Sequence, residues 1–166
     1  MSAKPFDLAL VVDDDPDILL AARLLLRDLF AEVIVAEQPD EVLAKTASRN
    51  PDVILLDANF ARGATNAAEG FEALARFIDR DPEAVVVMIT AHGGVQIAVE
   101  AMKRGATDFV SKPWSNERLL ATVRTAAALR QSRKAVSTER QKVVAATSPA
   151  AGSETPLLGQ SSAMKR

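Results

Sequence analysis

Asp52-Val53-Ile54-Leu55-Leu56-Asp57-Ala58-Asn59 is a run of four apolar residues closed at each end by a carboxylate. Four residues are too few for a helix, and a continuous apolar run of that length reads as a central strand buried on both faces of a parallel sheet. Asp57 then emerges at the carboxyl end of the strand. In an open α/β sheet that edge is where ligands bind, so a carboxylate there escapes the cost of full burial. A lone Asp at such a place reads more readily as a turn or cap residue, so the rest of the chain has to decide.

Outward from this strand, the pattern repeats. Phe6 to Val12 is a second short apolar run that ends in acid, Asp13-Asp14-Asp15. Asp15 is an N-cap and Pro16 a first helical position, and Ile18, Ala21, Ala22, Leu25 and Leu29 form a 3.6-period stripe for helix one. Leu20 and Leu24 lie off that stripe and offer a second contact surface. Glu32 to Ala36 reads as strand two. Pro39 to Arg49 reads as helix two, with Val42 and Leu43 inward and Asn50-Pro51 as its stop. Beyond strand three, Phe60 to Gly70 is small and polar enough for a loop. Helix three is expected from Phe71 to Arg80, strand four from Ala84 to Ile89, helix four from Val95 to Arg104 with Gly105 as an αL stop, strand five from Thr107 to Ser111, and helix five from near Ser115.

Five strands alternating with five helices call for an α/β doubly wound, flavodoxin-like parallel sheet with right-handed crossovers and helices on both faces. In the order 2-1-3-4-5, strands one and three are neighbours at the switch point, so Asp13, Asp14 and Asp57 converge. Two like charges 4 Å apart cost about 4 kcal/mol at an effective dielectric near 20, so such a cluster wants a cation. Oxygen-only ligands suit Mg²⁺, and with no Cys in the chain there is no thiolate site. Lys112 at the end of strand five adds a positive charge, and Thr90 at the end of strand four adds a hydroxyl. Together these parts suit transfer of a phosphoryl group onto Asp57, with no general base needed because a carboxylate is ionised at neutral pH.

The acidic pair after Val11-Val12, the Leu55-Leu56-Asp57 strand end, Thr90-Ala91, and Gly105-Ala106-Thr107-Asp108-Phe109-Val110-Ser111-Lys112-Pro113 together resemble the receiver domain of two-component response regulators, over residues 5 to 130. The resemblance implies that Asp57 accepts phosphate from a sensor histidine kinase. It implies that Asp14, Asp57 and the backbone carbonyl of Asn59 hold Mg²⁺ with Asp13 assisting, and that Thr90 and Lys112 bind the phosphoryl oxygens. It further implies a cis Lys112–Pro113 bond, and a role for Phe109 as the aromatic that moves inward when Thr90 engages the phosphate. Against the family pattern, Gly70 falls 13 positions after Asp57 instead of about eight, a Pro is missing from the loop, and Ala58 replaces a larger apolar residue. The sole histidine, His92, reads as a solvated loop residue.

The 166 residues hold one domain of ordinary size plus a tail, and 48% of them are apolar, enough for a core. A formal charge of -2 argues against direct nucleic-acid binding by this chain. No apolar run approaches the roughly 18 residues of a membrane span, and Met1 to Pro5 lacks a secretory signal, which points to the cytoplasm. Helix four, with Val95, Ala98, Val99 and Met102 expected on the sheet and Ile97 and Ala101 elsewhere, has two apolar faces. That pattern predicts homodimer formation through helix four, strand five and helix five. Helix five carries Leu119, Val123, Ala126, Ala127 and Leu129, then turns basic at Arg130, Arg133 and Lys134.

Residues 1–130 are the expected receiver domain and 131–156 a helical extension and flexible linker, with linker composition from about Ala135. The run Leu157-Leu158-Gly159-Gln160-Ser161-Ser162-Ala163-Met164 is similar to the opening of the AAA+ ATPase domain in enhancer-binding activators of the nitrogen-regulation type. That likeness makes 157–166 the start of a downstream domain, to be followed by DNA-binding domains in a full-length activator. No G-x-x-x-x-G-K-[ST] occurs, so this chain is not itself that ATPase. Two rival readings remain: an Asp-nucleophile phosphatase, which would need a second Asp where Asn59 stands, and an unphosphorylated pseudo-receiver serving only as an interaction module.

Overall fold

The structure is a computed structural model that describes residues 4–46, 49–58, 68–91 and 95–147. Ten elements alternate in the order β1 (Phe6–Val12), α1 (Pro16–Leu26), β2 (Phe30–Ala36), α2 (Pro39–Lys45), β3 (Val53–Asp57), α3 (Ala68–Arg80), β4 (Val86–Thr90), α4 (Val95–Lys103), β5 (Asp108–Ser111) and α5 (Asn116–Thr147). All strand pairs are parallel, in the order β2-β1-β3-β4-β5 expected from the sequence.

The apolar strands are continuous because the sheet is covered twice. Successive side chains point to opposite faces, so Ala9, Val11, Val53, Leu55, Val87 and Ile89 join the core under α1 and α5. Leu8, Leu10, Ile54, Leu56, Val86 and Met88 join the core under α2, α3 and α4. Every residue of β3 and β4 is buried, as a central pair in a two-sided sheet must be.

Several boundaries differ from the sequence reading. β2 starts earlier, at Phe30, whose ring packs 5.3 Å from that of Phe6. α2 stops at Lys45, four residues short of Arg49, where buried Thr46 turns its hydroxyl back to the Val42 carbonyl at 2.7 Å. Val42 is fully buried and Leu43 only half so. β4 starts at Val86, with Ala84 and Val85 buried ahead of it, and β5 starts at Asp108. α3 starts at Ala68, before Gly70. α5 does not stop at the linker composition near Ala135 but runs to Thr147, because Ala, Arg, Glu, Gln and Lys all favour helix. The chain divides into two compact units after Gln131.

Two helices bury only part of the expected face, including Ala22 and Ala98, and are rotated from the rest of it. α1 is capped by Asp15, whose side chain accepts from the Asp17 N–H, but it buries Leu19, Ala22 and Leu26 while Ile18 and Leu25 are half-buried and Ala21 is exposed. α4 buries Ala98 and Ala101, with Ile97 partly covered, and leaves Val95, Val99 and Met102 exposed at 64%, 50% and 42%. Both stripes are apolar, so the pattern alone is degenerate. The small alanines allow the helix axis to come close to the sheet, which the bulkier stripe would prevent.

Candidate functional site

The register of the sheet places the site. Val12 pairs with Leu56, Asp57 with Ile89, and Thr90 with Ser111. One residue past these pairs, Asp13, Ala58 and Lys112 leave the ladder on the same edge. Main-chain bonds hold them there: Asp13 N–H to Ala36 O (3.1 Å), Ala58 N–H to Ile89 O (2.9 Å) and Lys112 N–H to Thr90 O (2.8 Å). Strand ends that are fixed by ladder bonds deliver side chains more reproducibly than loops do.

Asp13, Asp14 and Asp57 each bring a carboxylate oxygen within 4.8 Å of the other two. Asp13 is fully buried, Asp57 is 5% exposed and Asp14 is half-exposed. Lys112 Nζ stands 2.8 Å from Asp13 Oδ2 and 3.6 Å from Asp57 Oδ1. Asp13 Oδ1 accepts the Asp15 N–H at 2.9 Å. Asp13 Oδ2 is paired with the Lys112 ammonium.

Burial pushes the Asp13 carboxyl above the usual carboxylate range, outweighing the hydrogen bond and charge of Lys112 and the Asp15 N–H; the Asp14 charge pushes the same way. For Lys112 burial works against the ammonium, but the hydrogen bond it donates to Asp13 and the charges of Asp13, Asp57 and Asp14 prevail and hold it above the usual lysine range. Three carboxylates and one ammonium leave a formal charge of -2. That surplus and the all-oxygen donor set, with the three carboxylates within 4.8 Å of one another, fit a hard divalent cation.

Thr90 is buried at the end of β4. Phe109, on β5, is half-buried against the core under α3 and α4. The Lys112–Pro113 bond is cis. Trp114 packs on the core under α1 and α5, two residues from Lys112. The sequence-derived site members Asp13, Asp14, Asp57, Thr90 and Lys112 therefore share one rim, while Asn59, His92 and the 157–166 segment lie outside the described residues.

Two features went unread in the sequence. Arg130, which the sequence places in a basic helix end, is 3% exposed and pairs with Asp81 at 2.9 Å. Its position continues the stripe Leu119, Val123, Ala126 and Ala127, and that spacing was the available signal. Asp52, at the other end of the opening stretch, is also buried and accepts the Asp7 N–H at 2.7 Å.

No helix among the described residues is long and apolar enough to cross a membrane. Residues 9–124 match the family described as "Response regulator receiver domain". The chain is 40% identical over 111 residues to the nitrogen assimilation regulatory protein NtrX of Azorhizobium caulinodans, an alignment that covers 67% of this chain and 24% of that protein. It is 28% identical over 166 residues to the C4-dicarboxylate transport transcriptional regulatory protein DctD of Rhizobium meliloti, covering the whole chain and 34% of that protein. The crystal structure of the receiver domain of NtrX from Brucella abortus superposes with a TM-score of 0.65 at 35% identity, over 72% of this chain and 98% of that one. The chain thus spans about a quarter of the length of NtrX and a third of DctD.

Proposed function

We propose a function on one premise: the chain belongs to the response regulator receiver domain family. Asp57 accepts a phosphoryl group from a sensor histidine kinase, and the modified site controls a downstream transcriptional activator. The observation that carries this reading is the convergence of Asp13, Asp14 and Asp57 oxygens within 4.8 Å, beside the Lys112 ammonium.

In the transfer, an Asp57 carboxylate oxygen forms a bond to phosphorus as the bond from phosphorus to the kinase histidine nitrogen breaks, and the electron pair stays with the imidazole. Asp14, Asp57 and the Asn59 backbone carbonyl, with Asp13 assisting, would hold Mg²⁺, which would supply positive charge to the phosphoryl oxygens. Lys112, only 3.6 Å from Asp57 Oδ1, moves its ammonium from Asp13 toward the new phosphoryl oxygens. Thr90 offers its hydroxyl to another of them. Phe109, half-buried on the adjacent strand, turns inward as Thr90 moves.

The signal leaves through the face of α4, β5 and α5. Val95, Val99 and Met102 make an apolar stripe on α4 with nothing over it in the described residues, and a second copy of the chain covers it when Asp57 is modified. Residues 1–130 act as the receiver, 131–156 as helical extension and linker, and 157–166 as the entry to an AAA+ domain followed by DNA-binding domains. The protein works in the cytoplasm as a signalling module and does not itself bind nucleic acid through this part.

Acetyl phosphate with Mg²⁺ tests the reading. Intact mass should show one phosphoryl adduct that maps to Asp57, and Asp57→Asn should fold and take none. Equal labelling of the variant removes the assignment, and steady turnover of phosphate esters would favour a phosphatase instead.

A further inference from the structure

We infer that Gly70 is a positioning residue for the acceptor carboxylate: its missing side chain lets the first turns of α3 close on the main chain of Ala58, which fixes where β3 delivers Asp57. The inference rests on the reading of Asp57 as phosphoryl acceptor.

A Cβ at residue 70 would lie 2.2 Å from the Ala58 carbonyl oxygen, 2.7 Å from its carbonyl carbon and 2.8 Å from its Cα. All three are main-chain atoms, so no rotamer change relieves the overlap. Gly105 makes an instructive contrast. A Cβ there would meet only the Ile78 Cδ1 tip, at 2.8 Å, and glycine is demanded instead by a φ of +109° at the end of α4. At Gly70 the demand is closeness itself.

Ala58 is held from both sides. Its N–H donates to Ile89 O at 2.9 Å on β4, and Gly70 presses on its Cα and carbonyl from α3. Asp57 is the residue before it and pairs in register with Ile89. Non-bonded heavy atoms settle near 3.5 Å, so a side chain at residue 70 forces the two backbones apart by about 1 Å. α3 resists retreat because Ala73, Leu74 and Phe77 are locked in the core beneath it. Ala58 lies just past the last residue of β3, where the ladder ends, and is the softer partner. The movement therefore falls on Ala58 and, through it, on Asp57. A misplacement of about 1 Å at a reacting group costs on the order of 100-fold in rate.

The test compares Gly70→Ala with Leu74→Ala, which opens a cavity under the same helix but adds no atom against the main chain of Ala58. Labelling by acetyl phosphate at saturating Mg²⁺ is followed at a temperature where circular dichroism shows each variant folded, and Mg²⁺ affinity is read from Trp114 fluorescence. Gly70→Ala should label between about 10-fold and 100-fold more slowly than the parent and bind Mg²⁺ more weakly. Leu74→Ala, though less stable, should label within about twofold of the parent. If Gly70→Ala does not fold, the double variant Ala58→Gly, Gly70→Ala keeps the overlap with the main-chain atoms of residue 58 but lets that main chain shift, which still displaces Asp57 and should show the same slowing. A folded variant of either kind that labels within about twofold of the parent overturns the inference while the acceptor reading stands. A parent that takes no label removes the acceptor reading, and this inference with it.

Discussion

Asp13→Asn should make the metal-free protein more stable and its response to Mg²⁺ weaker. Each carboxylate pair within 4.8 Å repels by about 3.5 kcal/mol at an effective dielectric of 20, so Asp13 contributes about 7 kcal/mol of repulsion with Asp14 and Asp57. Its attraction to Lys112 at 2.8 Å returns about 6 kcal/mol. The charge terms nearly cancel, with the half-exposed Asp14 screened further, and the desolvation that raises the Asp13 carboxyl is left uncompensated. Removing the charge should therefore raise metal-free stability by about 1–2 kcal/mol, or roughly 3–6 °C in Tm for a unit of this size.

With Mg²⁺ most of that advantage is offset. The cluster charge drops from -2 to -1, so affinity should fall by about tenfold or more, and at a concentration 100 times the parent Kd the stabilisation shrinks from about 2.7 to about 1.4 kcal/mol. The pH dependence gives an independent check. Because the folded-state value for Asp13 lies above 3.8, the folded state binds that proton more tightly than the unfolded state. The metal-free parent thus loses stability as pH rises from about 3.8 through the folded value, and the variant lacks that loss. Thermal unfolding with and without Mg²⁺ measures all of this. A variant less stable than the parent without metal, with an undiminished Mg²⁺ shift, would refute the reasoning.

Lys112 is held above 10.5, so its stabilising contribution should be complete below that pH and be lost as pH rises through the folded value; metal-free Lys112→Met should lack this alkaline decline in urea unfolding. Arg130→Ala leaves the half-buried Asp81 without its cation and should cost about 2–4 kcal/mol, whereas Arg130→Met with Asp81→Leu should recover most of it; equal losses in both would show that the pair is not what matters. Val99→Glu puts a charge on the exposed stripe of α4 and should keep the beryllofluoride form monomeric in sedimentation at concentrations where the parent is expected to associate. Association unchanged by the substitution would move the interface elsewhere.

The strand ends were legible because each apolar run stops at a residue that cannot be buried without a partner: Asp13, Asp57, Lys112. Once the alternation of strands and helices set the order, those ends had to share a rim. Helix faces were harder. In α4 the stripes Val95-Val99-Met102 and Ala98-Ala101 are both apolar, and only packing distance against the sheet chose between them. Arg130 misled because charge outweighed spacing in the reading, and a guanidinium is the cation that tolerates burial best when a carboxylate meets it. Gly70 could be read only as a loop-to-helix mark. What makes it necessary is a main-chain neighbour 12 positions earlier, which no local pattern records.

A crystal structure with Mg²⁺ and beryllofluoride would test most directly whether this rim is a phosphoryl site. The ion should sit among Asp13, Asp14 and Asp57, with beryllium on an Asp57 oxygen, Lys112 turned from Asp13 to a fluoride, and Phe109 less exposed than now. Beryllofluoride bound to another residue, or Lys112 still on Asp13 with the site filled, would contradict it.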